Sequence, residues 1–294
     1  MRTKIFLCSL CLAFLAIVGC SDDDSNPNGE PMGRLTVQLT DAPFPFDLVA
    51  EANVTIFKVD ARLKGGLEGD SIGDGSSFVT LMEEELAVNL LELSNGVTQE
   101  LADLDVPVGT YDLIRVYVNG VNVVLTDGRS FDLDVPSGQQ TGIKIFIDPG
   151  LAVSGGISSD LLLDFDVSRS FVAKGNLDTP AGITGFNFKP VIKASNLSTA
   201  GTLSGTVVQM DGETTLPLEA AQVSVLDANN GAVTSGATTE EGSYSILGLE
   251  AGTYKVFTSL NGYLDSDTLE VKITAANITV QDFILEAEAV ETGN

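Results

Sequence analysis

Apolar residues in this chain come in two textures. From Ile5 to Val18 they form one run with almost no polarity, just after the basic residues Arg2 and Lys4. From Gly33 onward they come in short alternating runs separated by Gly, Pro, Asn and Asp. Leu35, Val37 and Leu39 alternate, as do Val54 and Ile56, and Leu113 lies beside Ile114, Val116 and Val118. A period of two puts one side of a strand in a core and the other in water. Further strands are predicted at Asn122–Thr126, Ser130–Val135, Gly142–Ile147, Leu161–Ser168 and Phe186–Ala194. Thr126-Asp127-Gly128-Arg129 stands between two of these runs and reads as an Asp-Gly hairpin turn. The run Glu83–Leu93 (EEELAVNLLEL) reads either as a short helix or as a strand and a turn.

Small polar residues at Ser195–Gly201 (SNLSTAG) separate this set from a second. Strands are predicted there at Leu203–Gln209, Gln222–Leu226, Ala232–Thr238, Ser243–Leu247, Thr253–Leu260, Thr268–Thr274 and Ile278–Leu285. About seven strands in roughly 85 residues fit a small sandwich. The predicted fold is all-β, with two β-sandwich domains in tandem at residues 33–198 and 199–287 and an acidic tail at 288–294. An echo links the halves: Val106–Tyr111 (VPVGTY) and Leu249–Tyr254 (LEAGTY) each lead into an apolar strand. Glycine turns the chain sharply there. The tyrosine after it can bury its ring while its hydroxyl finds a partner.

The fourteen residues of the leading run fall short of the about 20 that a bilayer core takes, so they read as a secretory segment. Ile17-Val18-Gly19-Cys20 closes the run and resembles the bacterial lipobox. Cleavage is expected after Gly19, making 1–19 a signal peptide and Cys20 an acylated N-terminus. Two or three acyl chains, at about 0.8 kcal/mol per buried CH₂, hold a protein to a membrane without a spanning helix. Residues 20–32 are polar, with Asn26-Pro27-Asn28-Gly29 and Pro31, and read as a flexible tether. Ser21-Asp22-Asp23-Asp24 resembles the acidic tag that some Gram-negative bacteria use to send lipoproteins to the cell surface. The expected location is the outer membrane, lipid-anchored and facing outward.

Composition closes off several chemistries. With no histidine in the chain, Ser-His-Asp and Cys-His systems and histidine-ligated metals are excluded. The cysteines are Cys8, Cys11 and Cys20. The first two leave with the signal peptide and lipid takes the third, so no disulfide is expected. Without Arg2 and Lys4, 13 basic residues face 41 acidic ones, a net charge of −28. Such a field repels nucleic acid and anionic membrane surfaces. Tryptophan is absent, so sugar stacking would fall to Tyr111, Tyr117, Tyr244, Tyr254, Tyr263 or a phenylalanine.

Two resemblances rest on residues. Gly205-Thr206-Val207-Val208, Ala221–Val225, Glu241-Gly242-Ser243-Tyr244, Leu249–Tyr254 and Asn261-Gly262-Tyr263 follow the order of the carboxypeptidase regulatory-like domain, a transthyretin-like sandwich. That resemblance implies an accessory, non-catalytic module. Pilin adhesins of similar shape crosslink a lysine to an asparagine. Here Lys255 and Lys272 are the only lysines after Gly201 and neither lies in the first strand, so no crosslink is expected. In the first half, Gly33–Val37, Leu39–Pro43, Val106–Tyr111, Leu161–Ser170 (LLLDFDVSRS) and Phe188–Lys193 resemble the family named domain of unknown function 4382. That implies a mostly-β extracytoplasmic domain.

Candidate sites are few. Asp41-Ala42-Pro43 reads as an Asx-type turn or a ligand-binding carboxylate. Asp164 and Asp166 alternate with Leu163, Phe165 and Val167, so they share a face, either a solvent face or a shared cation site. Asp70 and Asp74 lie in an acidic loop that lacks the EF-hand spacing. No cofactor and no metal site are expected; calcium is the only ion these acids suggest, as a minor alternative. The chain is expected to be no enzyme. Its expected role is binding or adhesion at the cell surface, towards a glycan or an envelope protein. The alternatives are a structural spacer in an envelope assembly and, less favoured, an acid-pair hydrolase.

Overall fold

The computed structural model describes residues 31–42, 48–65, 78–135, 139–212 and 214–288. Gly19, Cys20, Asp70, Asp74 and Pro43, and the tail after Glu288, lie outside the described residues.

The first domain contains β1 (Met32–Ala42), β2 (Val49–Leu63), β3 (Phe78–Met82), β4 (Leu86–Asn89), β5 (Gln99–Pro107) and β6 (Gly109–Leu125). It continues with β7 (Ser130–Asp132), β8 (Ile143–Val153), β9 (Ser158–Asp166), a single helical turn α1 (Val167–Ser170), β10 (Phe171–Gly175), β11 (Ile183–Phe188) and β12 (Ile192–Asn196). One sheet runs β12-β9-β1-β5. The other runs β3-β2-β6-β7, with β4 also on β2 and β8 also on β6. Their inner faces make one core, in which Leu35, Val37 and Leu39 of β1 join Leu161, Leu163 and Phe165 of β9. The outward residues of β1 are polar, and Arg34 grips Asp103 of β5 through two bonds of 2.7 and 2.6 Å.

The second domain contains β13 (Gly201–Asp211), β14 (Thr214–Pro217), β15 (Gln222–Leu226), β16 (Ala232–Ala237), β17 (Ser243–Leu249), β18 (Gly252–Ser259), β19 (Leu269–Ile273), β20 (Ile278–Val280) and β21 (Phe283–Leu285). One sheet is β14-β13-β17 with β20 and β21 alongside β13; the other is β16-β15-β18-β19. A separate core lies between them, built on Leu203, Val223, Val225, Ile246, Val256 and Ile273. Only 197–200 separate β12 from β13, and they are held by Leu197 N–H to Asp160 C=O at 3.0 Å and Ala200 N–H to Asn196 C=O at 2.8 Å.

Several elements differ from the sequence expectation for local reasons. The stretches at 113–118 and 122–126 are parts of one strand, β6, because Gly120 keeps its ladder partner Thr55 on β2. Phe186–Ala194 splits into β11 and β12 around Pro190, which has no N–H to donate. Glu83–Leu93 resolves into strand β4 and a 3₁₀ turn at Leu90–Leu93, capped by the Asn89 side chain. The Asp-Gly hairpin forms as expected between β6 and β7, with Gly128 at φ +86°.

Candidate functional site

Three of the acids picked out in the sequence, Asp41, Asp164 and Asp166, gather where β1 and β9 end. One oxygen of Asp41 accepts the Val167 N–H at 3.1 Å. Asp166 caps the same turn: its Oδ1 accepts the Arg169 N–H at 2.9 Å and the Ser168 hydroxyl at 2.7 Å. The Arg169 guanidinium lies 3.5 Å from its other oxygen. The two carboxylates therefore satisfy N–H groups that a helix start leaves orphaned.

Asp164 faces elsewhere. Its Oδ2 accepts the Thr234 hydroxyl of β16 at 3.2 Å, so it is a first-domain acid bonded to the second domain. Beside it, Leu162 packs so closely on Gly248 that a Cβ there would stand 2.9 Å from the leucine methyl. The regulatory-like half thus covers the outer face of β9, and Asp164 and Asp166 are each only 9% exposed. This overturns the expectation of a solvent face: both sides of β9 are buried, one by the core and one by the other domain. Burial raises the Asp164 carboxyl to about 6; Asp166 adds to the rise, while Thr234 and Lys193 oppose it. Thr40, Asp41, Asn95, Asp164 and Thr234 border a gap of about 10 Å³, room for about one water molecule. Among the described residues no three His, Cys, Asp or Glu side chains group as a metal centre would need.

Another buried acid is likewise spoken for. Asp60 of β2 is bonded by Lys58 at 3.1 Å and by the Thr80 hydroxyl at 2.9 Å. Arg115, its cross-strand neighbour, stacks on Phe78 at 4.0 Å.

Sequence reasoning missed a second polar constellation, on the outer face of the six-stranded sheet. Asn53 and Thr55 of β2, Asn119, Gly120 and Asn122 of β6 and Asp132 of β7 line a groove of about 390 Å³. The signal was there in principle: Asn53 and Thr55 alternate with the core residues Val54 and Ile56. The register that joins them to Asn122 and Asp132 was not.

The profile of a family described as domain of unknown function (DUF4382) matches residues 32–190, more than half of the chain. The chain belongs to the DUF4382 family. Its second half matches a carboxypeptidase regulatory-like domain at residues 202–286, a non-enzymatic kind of β domain. No curated protein matches the chain by sequence. Among solved structures, the minor pilin GBS52 of Streptococcus agalactiae is 12% identical, with 88% of this chain and 98% of that one covered, at a TM-score of 0.29. The major pilin subunit BcpA of Bacillus cereus is 11% identical over 87% of this chain and 71% of that one, at 0.26. The Bacillus anthracis TIE protein is 12% identical over 87% and 34%, also at 0.26. On β18, Lys255 bonds the exposed Asn230 side chain at 2.7 Å.

Proposed function

We propose that this DUF4382 protein is a non-catalytic binding or adhesion protein of the bacterial envelope, held at the outer membrane by acyl chains on Cys20 and facing outward. One observation carries the reading: among the described residues, the candidate acids Asp41, Asp164 and Asp166 are all engaged by the fold. Asp166 and Asp41 hold the start of α1, and Asp164 clasps the regulatory-like domain. An acid-pair hydrolase needs one carboxyl free to donate a proton and another free to act on the opposite side of the bond. Neither Asp164 nor Asp166 is placed for that. The reading needs no cofactor, and its partners are a glycan or an envelope protein.

The test is surface retention. The purified full chain should bind intact cells or their envelope fractions saturably and show no glycoside turnover. Turnover that disappears in Asp164→Asn would overturn the reading in favour of the hydrolase. A structural spacer is the second reading, favoured by the short, hydrogen-bonded connection between the domains. Fixed-ratio co-purification with one envelope partner, without saturable binding to cells, would select it.

A further inference from the structure

We propose that the groove on the outer face of the six-stranded sheet binds a neutral pyranose glycan; this rests on the binding-protein reading and names its ligand. Register builds the groove. Asn53 lies opposite Asn122, Thr55 opposite Gly120, and Asp132 on the far side of Asn122. The Asn122 amide nitrogen donates to Asp132 Oδ1 at 2.8 Å and to Ser130 Oγ at 2.7 Å, and the Asn53 amide nitrogen donates to Glu51 at 2.8 Å. The two amides are therefore pinned through nitrogen. Their carbonyl oxygens, the Thr55 hydroxyl and the second Asp132 oxygen have no partner among the described residues.

Gly120 makes the room. A Cβ there would meet only the Thr55 side chain, at 3.5 Å, so the glycine leaves the floor low without any backbone demand for it. A volume of about 390 Å³ lies within the usual range of small-ligand sites, roughly 300–1,000 Å³.

The chemistry selects the ligand class. Beside the apolar Val121 and Leu133, the lining offers acceptor oxygens, a hydroxyl and the Asn119 amide, with no cation among them. Phosphates, sulfates and acidic sugars would face Asp132 and a strongly negative chain. An apolar ligand would strip water from amides and a carboxylate and return no hydrogen bonds. A neutral ring bearing several hydroxyls donates to every acceptor present. Two residues beyond Thr55 on the same strand, about 7 Å along it, Phe57 is half-buried and leans on Tyr117 with ring centroids 6.0 Å apart. A ring there can take the C–H face of an adjoining sugar.

The test probes the full chain on an array of neutral oligosaccharides, with sialylated and sulfated ones alongside, and compares it with Gly120→Val and Asn53→Ala. Valine suits a strand and fills the groove floor; Asn53→Ala removes one acceptor from a partly exposed site. Both should keep the wild-type melting temperature. The expected result is retention of a neutral oligosaccharide, weakened about tenfold or more in each variant. Full retention by both variants would overturn the groove while leaving the protein a glycan binder. Retention of acidic glycans alone, or of none, would overturn the inference. The binding-protein reading would then stand or fall on the cell-retention assay.

Discussion

Tyr111 and Tyr254 do the same work in the two domains. Each hydroxyl donates to the carbonyl four residues back, Tyr111 to Pro107 at 2.8 Å and Tyr254 to Glu250 at 3.0 Å. The shared Gly-Thr-Tyr of the sequence is thus a tyrosine corner, built twice. Burial pushes the Tyr111 phenol up to about 12. Tyr111→Phe should cost about 1 kcal/mol, read as a lowered urea midpoint, because its ring is fully buried and the carbonyl is left without that bond. Tyr254→Phe should cost less, since its corner is more exposed. Asp164 makes a pH prediction. Unfolded, its carboxyl releases a proton near 3.8; folded, burial makes it hold the proton up to about 6. The folded state binds more protons across that window, so stability falls as pH rises through it. The cost, on the order of 3 kcal/mol at most, persists at neutral pH. Asp166 and Lys193 are the charged groups that modulate it. Asp164→Asn should flatten this part of the slope between about pH 4 and 6 and stabilise the protein at pH 7. An unchanged slope in urea melts across that range would refute the assignment.

At the scale of elements, what could be read in the sequence depended on how local its cause was. The β1 alternation, the Asp-Gly hairpin and the two Gly-Thr-Tyr edges are set by neighbours in the chain, and each forms as read. β9 was half legible. LLLDFD is dense enough in apolar residues to mark a strand buried on both sides. What covers its outer face, Thr234 and Gly248, lies in the other domain and leaves no trace in the local pattern. The groove was illegible for the same reason, since β2, β6 and β7 bring its residues together only through register. Gly205 shows how tight such pairings are: a Cβ there would run into the Gln281 carbonyl oxygen and sit 3.0 Å from the Tyr244 ring. Gly205→Ala should therefore cost about 3 kcal/mol and loosen β20 and β21 from β13, seen as faster amide exchange at 278–285.

For the molecule as a whole, two cores share one junction. The regulatory-like domain buries Leu162 and Asp164 of its neighbour, so the domains should unfold together in a single calorimetric transition. Leu162→Arg, which places a charge in that junction, should split the melt in two; one unchanged transition would show that the junction does not couple them. A coupled body suits the proposed role, a fixed surface presented from a lipid anchor. The proposed anchor is tested most directly by expressing wild type and Cys20→Ala in a Gram-negative host and treating intact cells with protease. The wild type should be digested at the surface while Cys20→Ala is recovered soluble. A wild type protected on intact cells would contradict outward display, and the adhesion reading would give way to a role in envelope assembly.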